Sequence, residues 1–219
     1  MGQKVNPEIF RLGKIYDWQS HWFSRKNYKE TLLEDFKLRK ALMEKLRIAG
    51  VSRIEIDRSI NSLKITAFVS RPGIVIGRAG TGLEELKKFL LERETHFLAK
   101  NGKNAPKIDI RVESIKEPNL DAYLVARNIS DQLAKRLPYK RILAQAAERV
   151  MVAGAKGVRI VLSGRIAGAE ISRREKIQLG TVPLSTIREK IDFRSVPTLT
   201  KKGYVGVKVW INRPEGTSV

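Results

Sequence analysis
The chain has 219 residues, and 43 Lys and Arg against 23 Asp and Glu give it a formal charge of +20. A hydrophobic fraction of 42% beside 30% charged residues is that of a globular chain with material for one large core or two small ones, and the absence of cysteine excludes disulfides, zinc ribbons and thiol catalysis. No run approaches a transmembrane span and no apolar leader or lipidation signal is expected, so the polyanion that offsets this charge is read as nucleic acid rather than a membrane surface.

The excess is not a detachable tail, since residues through Ser114 carry +9 and the remainder +11. Residues 1–28 are basic, aromatic-bearing and aperiodic, with Arg11, Trp18, Trp22, Phe23, Arg25 and Lys26. Two readings stand: a surface arm anchored to the body by its tryptophans, or an arm that orders on a polyanion with bases against its aromatics. From Lys29 to Ala49, Leu38, Leu42, Leu46 and Ala49 recur at helical spacing and Gly50 supplies a stop. Arg53 to Asp57 alternates with Ile54 and Ile56 on one face. Asn61-Ser62 is a turn, and Leu63, Ile65, Ala67 and Val69 alternate again, so a hairpin is expected.

Next comes a short apolar run from Arg71-Pro72, then Gly77-Arg78-Ala79-Gly80, then a helix from Thr81 to Leu98 with a stripe of Leu83, Leu86, Leu90 and Leu91. The loop Lys100 to Pro106 leads to a third strand, Lys107 to Glu113, with Ile108, Ile110 and Val112 inward. Helix, strand, strand, helix, Gly-x-x-Gly, helix, strand is the order of a type II KH domain. Two glycines bracketing two residues let a phosphodiester approach the backbone. The N-H groups opening the second helix and the Arg78 guanidinium both favour that anion. Because position 79 is alanine, Arg78 supplies the only side-chain charge of the loop.

Glu117-Pro118-Asn119 is expected to open a second domain over 117–213, with Asn119 as N-cap and 214–219 as a tail. Val125, Ile129, Leu133 and Leu137 mark one helix, ended by Pro138. Tyr139 to Val152 is another, with Ile142, Ala146 and Val150 inward. Lys135-Arg136 and Lys140-Arg141 crowd their junction, which reads as a phosphate-tracking surface more readily than a solvated corner. Lys156 lies in the basic loop before a strand of Val158, Ile160 and Leu162 that runs into Arg165. Arg173-Arg174 falls in a polar connection, and Val182-Pro183 leads into an alternating stretch through Ile187 and Ile191. The last strand, Val205 to Ile211, turns Tyr204, Lys208 and Trp210 to its other face, for RNA stacking or for packing against the N-terminal arm. The expected class is α+β: a type II KH domain over 29–116 with a mixed three-stranded sheet, then two helices on a small antiparallel sheet.

Catalytic chemistry is missing. Gly77 to Gly82 has the glycine spacing of a P-loop, but Leu83-Glu84 follows where Lys and a hydroxyl are required. His21 and His96 have no nucleophile and orienting carboxylate set beside them, and no ligand set for a metal or cofactor stands out. The chain is read as a non-enzyme without cofactors.

Eight separated motifs resemble one family nearly end to end: Gly2-Gln3-Lys4-Val5-Asn6-Pro7, Arg11-Leu12-Gly13, Ser52-Arg53-Ile54-Glu55-Ile56, Arg71 to Gly77, Gly154-Ala155-Lys156-Gly157, Ser163-Gly164-Arg165, Gly168-Ala169-Glu170-Ile171 and Gly206-Val207-Lys208-Val209-Trp210. They are similar to the bacterial-type small ribosomal subunit protein three family. The resemblance implies a two-domain protein of the cytoplasmic ribosome, in the head of the small subunit, bound to small-subunit rRNA beside ribosomal proteins ten and fourteen. It also implies a wall of the mRNA entry tunnel, where Lys135, Arg136, Lys140 and Arg141 meet incoming message. There they would help strip structure from the message; relatives often carry a further basic residue one turn later, where Ala144-Gln145 stands here, which implies a weaker unwinding contribution. The loop from Asn101 to Lys107 also looks longer than the family's form. Two readings from other classes are a KH-type regulator or RNA maturation factor outside the ribosome, and a phosphate-processing enzyme.

Overall fold
The computed structural model describes residues 4–59, 62–98 and 107–214, except the side chains of residues 79 and 93–98. The turn expected at Asn61, the loop from 101 and the tail from 215 therefore lie outside the described residues. The chain forms two compact units, one of residues 18–116, the other joining residues 4–17 to the segment from Glu117. Among the described residues no helix is long and apolar enough to cross a membrane.

Residues 4–17 contain a one-turn helix, α1 (Pro7–Phe10), capped by Asn6, whose Oδ1 accepts the Glu8 N–H at 2.9 Å. The unit that follows is built from β1 (Ser20–His21), α2 (Tyr28–Lys45), β2 (Val51–Arg58), β3 (Ser62–Val69), α3 (Pro72–Ile76), α4 (Thr81–Leu98) and β4 (Lys107–Ser114). Gly50, in the left-handed region at φ 68°, turns the chain out of the helical segment into β2. The hairpin pairs Ile56 with Ile65, and β4 joins β3 in parallel with Ile110 opposite Ile65. A parallel partner requires a crossover, and α3 and α4 supply it. Ile54, Ile56, Leu63 and Ile65 are buried against Leu38 and Leu42 of α2 and Leu86 and Leu90 of α4, the alternation and stripe read from the sequence.

The sheet has four strands rather than three, in the order β1-β2-β3-β4. Two residues of β1 carry no period, so nothing local announces them. They are placed by side chains: Arg39 donates to the Gln19 carbonyl at 3.2 Å and the Ser20 hydroxyl at 2.8 Å. Trp22 Nε1 donates to Asp35 Oδ2 at 2.7 Å, and the other oxygen of this buried carboxylate holds Arg58 Nε at 2.6 Å. Trp22 is thus an anchor, whereas Trp18 and Phe23 are exposed.

The second unit packs α5 (Ala122–Ala134) and α6 (Tyr139–Val152) on an antiparallel sheet of β5 (Gly157–Gly164), β6 (Arg173–Gly180), β7 (Ile191–Thr200) and β8 (Gly203–Asn212), ordered β6-β5-β8-β7. Ile129, Leu143, Ala147, Ile160, Val207 and Val209 form the centre of its core. Four sequence expectations change here. Arg173-Arg174 begins an edge strand, not a connection. This edge strand is mostly exposed, with only Glu175 and Ile177 half-buried, so β6 shows almost no apolar alternation. The strand expected from Val182 is irregular until Ile191, and Val182 and Leu184 fold over the sheet instead. The N-cap of α5 is Asp121, whose Oδ1 accepts the Leu124 N–H at 3.0 Å, because a 3₁₀ turn over Pro118–Leu120 comes first. Leu137 lies beyond α5, which ends at Ala134, and is exposed.

Among the described residues, 4–28 do not form one separate arm. They divide between the units, and residues 4–17 are built into the second. Arg11 has no solvent exposure. Its Nε donates to the Glu189 carbonyl at 2.8 Å, Nη1 to Pro7 at 3.0 Å, and Nη2 reaches Thr186 at 2.7 Å, Leu184 at 3.2 Å and Pro183 at 3.4 Å. One guanidinium therefore ties α1 to the irregular 183–189 segment. That segment in turn covers Trp210, which stacks on Phe193 with centroids 4.9 Å apart and lies only 7% exposed.

Glu8 makes the second tie. Its Oε1 accepts the Phe193 N–H at 3.2 Å and its Oε2 lies 3.1 Å from Arg194 Nη1. Burial, set against Arg194 and reinforced by Asp192, pushes the Glu8 carboxyl up from 4.5 to about 7. Burial by itself would raise the Asp192 carboxyl, but Arg213, which also lies 3.7 Å from Asp121, the Ala122 N–H and the hydrogen bond with Glu8 together keep that carboxylate low. Half-buried Tyr16 also faces the cluster, where burial first and Asp192 next raise its hydroxyl above the usual range. A carboxyl whose folded pKa is raised favours the native state fully below about pH 4.5 and loses that contribution as pH rises through about 7. Unfolding of the second unit, followed by urea titration at a series of pH values, is expected to become easier across this window. Glu8→Gln is expected to flatten the dependence, and an unchanged slope in that variant would assign it elsewhere.

Candidate nucleic-acid interface
At the helix junction α5 ends at Ala134, Lys135 is its C-cap, and Arg136 turns the chain at φ 61° before Pro138 caps α6. A lysine at a helix C-terminus faces the partial negative charge of the last carbonyls, which favours it there. The turn carries four cations on a short arc. Lys135, Arg136, Lys140 and Arg141 are all exposed. Among the described residues no carboxylate pairs with any of them, so their fields point to solvent.

The Gly-x-x-Gly turn sits as the sequence requires, between α3 and α4. Gly77 has φ 70° and Gly80 φ 85°, both in the region that disfavours a Cβ. Residues 78–80 form a 3₁₀ turn, and the Thr81 hydroxyl closes it on the Arg78 carbonyl at 3.0 Å. Arg78 is exposed at its tip, while the side chain of Ala79 is outside the described residues. A third glycine, not singled out in the sequence, makes the approach possible. A Cβ on Gly82 would lie 2.4 Å from the Val75 carbonyl oxygen. The signal was present, since Gly82 closes the spacing first compared with a P-loop.

The remaining basic residues separate. Lys156 is engaged by Glu189 at 3.6 Å and so is a structural contact as well as an exposed charge. Arg174 and Lys208 share the face of the sheet turned away from the helices. Arg174 is paired with Ser163, and Lys208 stands opposite Val161, whose other partner is Lys176. Lys176 completes this patch and was missed because β6 has no legible period. Arg173 alternates to the other face. Of the two roles open to Trp210, stacking on RNA or packing inside the protein against the N-terminal residues, the covered ring fits the second.

Arg165 donates from Nε to the Ala169 carbonyl at 2.9 Å, which fixes the tight turn after β5. It lines a cleft of about 560 Å³ together with Arg136, Lys201 and Lys202. The two lysines sit in the β7–β8 hairpin turn and carried no signal in sequence beyond their charge.

Residues 129–211 match the family described as ribosomal protein S3, C-terminal domain, and residues 37–120 match the KH domain family. The chain is 46% identical over 215 residues to small ribosomal subunit protein uS3 of Lactobacillus acidophilus, covering 98% of this chain and 92% of that one. It is 47% identical over 216 residues to the uS3 of Carboxydothermus hydrogenoformans, with 98% and 93% covered. The chain belongs to the small ribosomal subunit protein uS3 family. With the uS3 of Thermodesulfovibrio yellowstonii the identity is 45% over 215 residues, again 98% of this chain and 95% of the relative. Membership of the uS3 family makes it a structural, non-enzymatic ribosomal protein. The eight separated motifs, from Gly2 to Trp210, therefore pointed to this family along nearly the whole chain.

Proposed function
We propose that the chain is held in the small-subunit head by rRNA phosphates spread over both units, and that the α5–α6 junction forms part of the wall met by mRNA entering the ribosome. The observation that carries the second statement is the arc of four exposed cations without carboxylate partners at Lys135, Arg136, Lys140 and Arg141. The exposed patch of Arg174, Lys176 and Lys208 and the Gly77–Gly80 turn with Arg78 supply further phosphate contacts. Small-subunit proteins ten and fourteen are the neighbours, and the cytoplasm the location, that the family resemblance supports.

Each phosphate neutralised on a single strand releases condensed counterions and contributes about 0.7 to the slope of log affinity against log salt. Replacing all four junction cations by alanine is expected to lower that slope for single-stranded RNA by about 3. In translating ribosomes the same variant is expected to slow passage through a structured message more than through an unstructured one. Equal slowing of both would remove the junction from the message path, whatever the effect on RNA affinity.

A further inference from the structure
The cleft beside Arg136 is lined by groups of two kinds. Leu137, Pro138, Tyr139, Ile166 and Val205 give it apolar surface, and Arg136, Arg165, Lys201 and Lys202 give it positive charge. No Asp or Glu lines it. An anionic ligand with a flat apolar body satisfies both parts, and the volume of about 560 Å³ is ample for one planar ring system.

Backbone conformation singles out the same place. Arg136 (φ 61°) and Ala167 (φ 55°), the non-glycine residues that take positive φ among those described, both line this cleft. L-residues reach that region at a cost in free energy, and such strain gathers where a surface is shaped for binding. Gly168 contributes by its missing side chain, since a Cβ there would lie 3.3 Å from Lys202 Cγ. The lysine stem lies along the turn, and Lys202 is exposed where it lines the cleft.

We propose that this cleft takes one unpaired nucleobase of a single-stranded RNA, stacked over Tyr139 and Leu137, while Arg136, Lys201 and Lys202 hold the phosphates on either side. The inference rests on the reading that the helix junction tracks single-stranded RNA, and adds that it grips one base rather than the backbone alone. The base lends affinity without sequence readout, because every base offers an apolar face.

The test uses the full chain and two probes, a six-unit abasic ribose-phosphate RNA carrying one central adenine and the same RNA wholly abasic. The wild-type chain is expected to bind the adenine probe at least about fivefold more tightly, the lower end of one stacked base. Leu137→Asp is expected to erase that advantage. Leu137 is 49% exposed, so the variant is expected to fold, which an unchanged urea midpoint checks. Lys135→Ala with Lys140→Ala is expected to weaken both probes by the same factor. Equal binding of the two probes by the wild type would overturn base insertion and leave the RNA reading standing. Failure to bind either probe would overturn both. An adenine advantage that survives Leu137→Asp would place the base elsewhere and refute this cleft. Displacement of the adenine probe by hexaglutamate as effective as by unlabelled probe would make the occupant an acidic peptide instead.

Discussion
Arg11→Ala is expected to destabilise the second unit by about 3–5 kcal/mol, because it strips the donors from five carbonyls at once. Each buried acceptor left without a partner costs on the order of 1–3 kcal/mol, reduced where water enters. The loss is local in origin and wide in effect. Without the guanidinium, α1 has no tie to the 183–189 segment, and the cover over Trp210, Val161 and Ile191 loosens. Hydrogen exchange read by segment is expected to show faster exchange in β7 and β8 and little change in β2 and β3, which belong to the other unit. Arg11→Lys is not expected to restore stability. A single ammonium has three donors around one nitrogen, whereas the planar fork reaches carbonyls on three sides. Protection of β7 and β8 equal to the wild type in Arg11→Ala would show that the 183–189 segment holds itself in place.

Gly82→Ala is expected to cost the KH unit about 3 kcal/mol, the upper part of the range for overpacking. The added Cβ would meet the Val75 carbonyl oxygen at 2.4 Å and the Ile76 oxygen at 3.1 Å, and a backbone oxygen cannot swing aside as a side chain does. Either α3 or α4 must move, and the Gly77–Gly80 turn between them moves with it. Gly80→Ala is the control: its Cβ would meet nothing within 4 Å, so only the left-handed φ of 85° is penalised, by about 1–2 kcal/mol. The ranking is checked by the urea midpoint of the KH unit in the two variants. A larger loss at Gly80 than at Gly82 would mean that the helices separate easily and that conformation, not contact, limits this loop.

The legible part of the fold was the part whose signal is periodic. Ile54, Ile56, Leu63 and Ile65 alternate because one face of their strands is buried, and α6 was bounded from Tyr139 to Val152 by its apolar spacing. The basic surface was legible as charge, and Arg78, Lys135, Arg136, Lys140 and Arg141 are exposed as a phosphate contact requires. Edge positions were not. β6 has one solvated face and one half-covered face, so Arg173, Arg174 and Lys176 looked like a connection. Trp210 was legible as belonging to the strand's second face, but which of its two roles applied was not: the segment after β6, tied to Arg11, covers that face and leaves packing rather than stacking.

By itself the sequence determined the order of helices and strands, the glycine turn between α3 and α4, the excess of positive charge on both halves and the family, because each of these is written in neighbouring residues. Only the tertiary structure decided which cations reach solvent and which are consumed inside. Arg11 and Arg136 are indistinguishable as letters in basic stretches. One is sealed against carbonyls 172 to 178 residues away and the other is exposed and lines a cleft. A charge takes its role from the groups that surround it, and those are brought together by chain folding over separations that local pattern does not record.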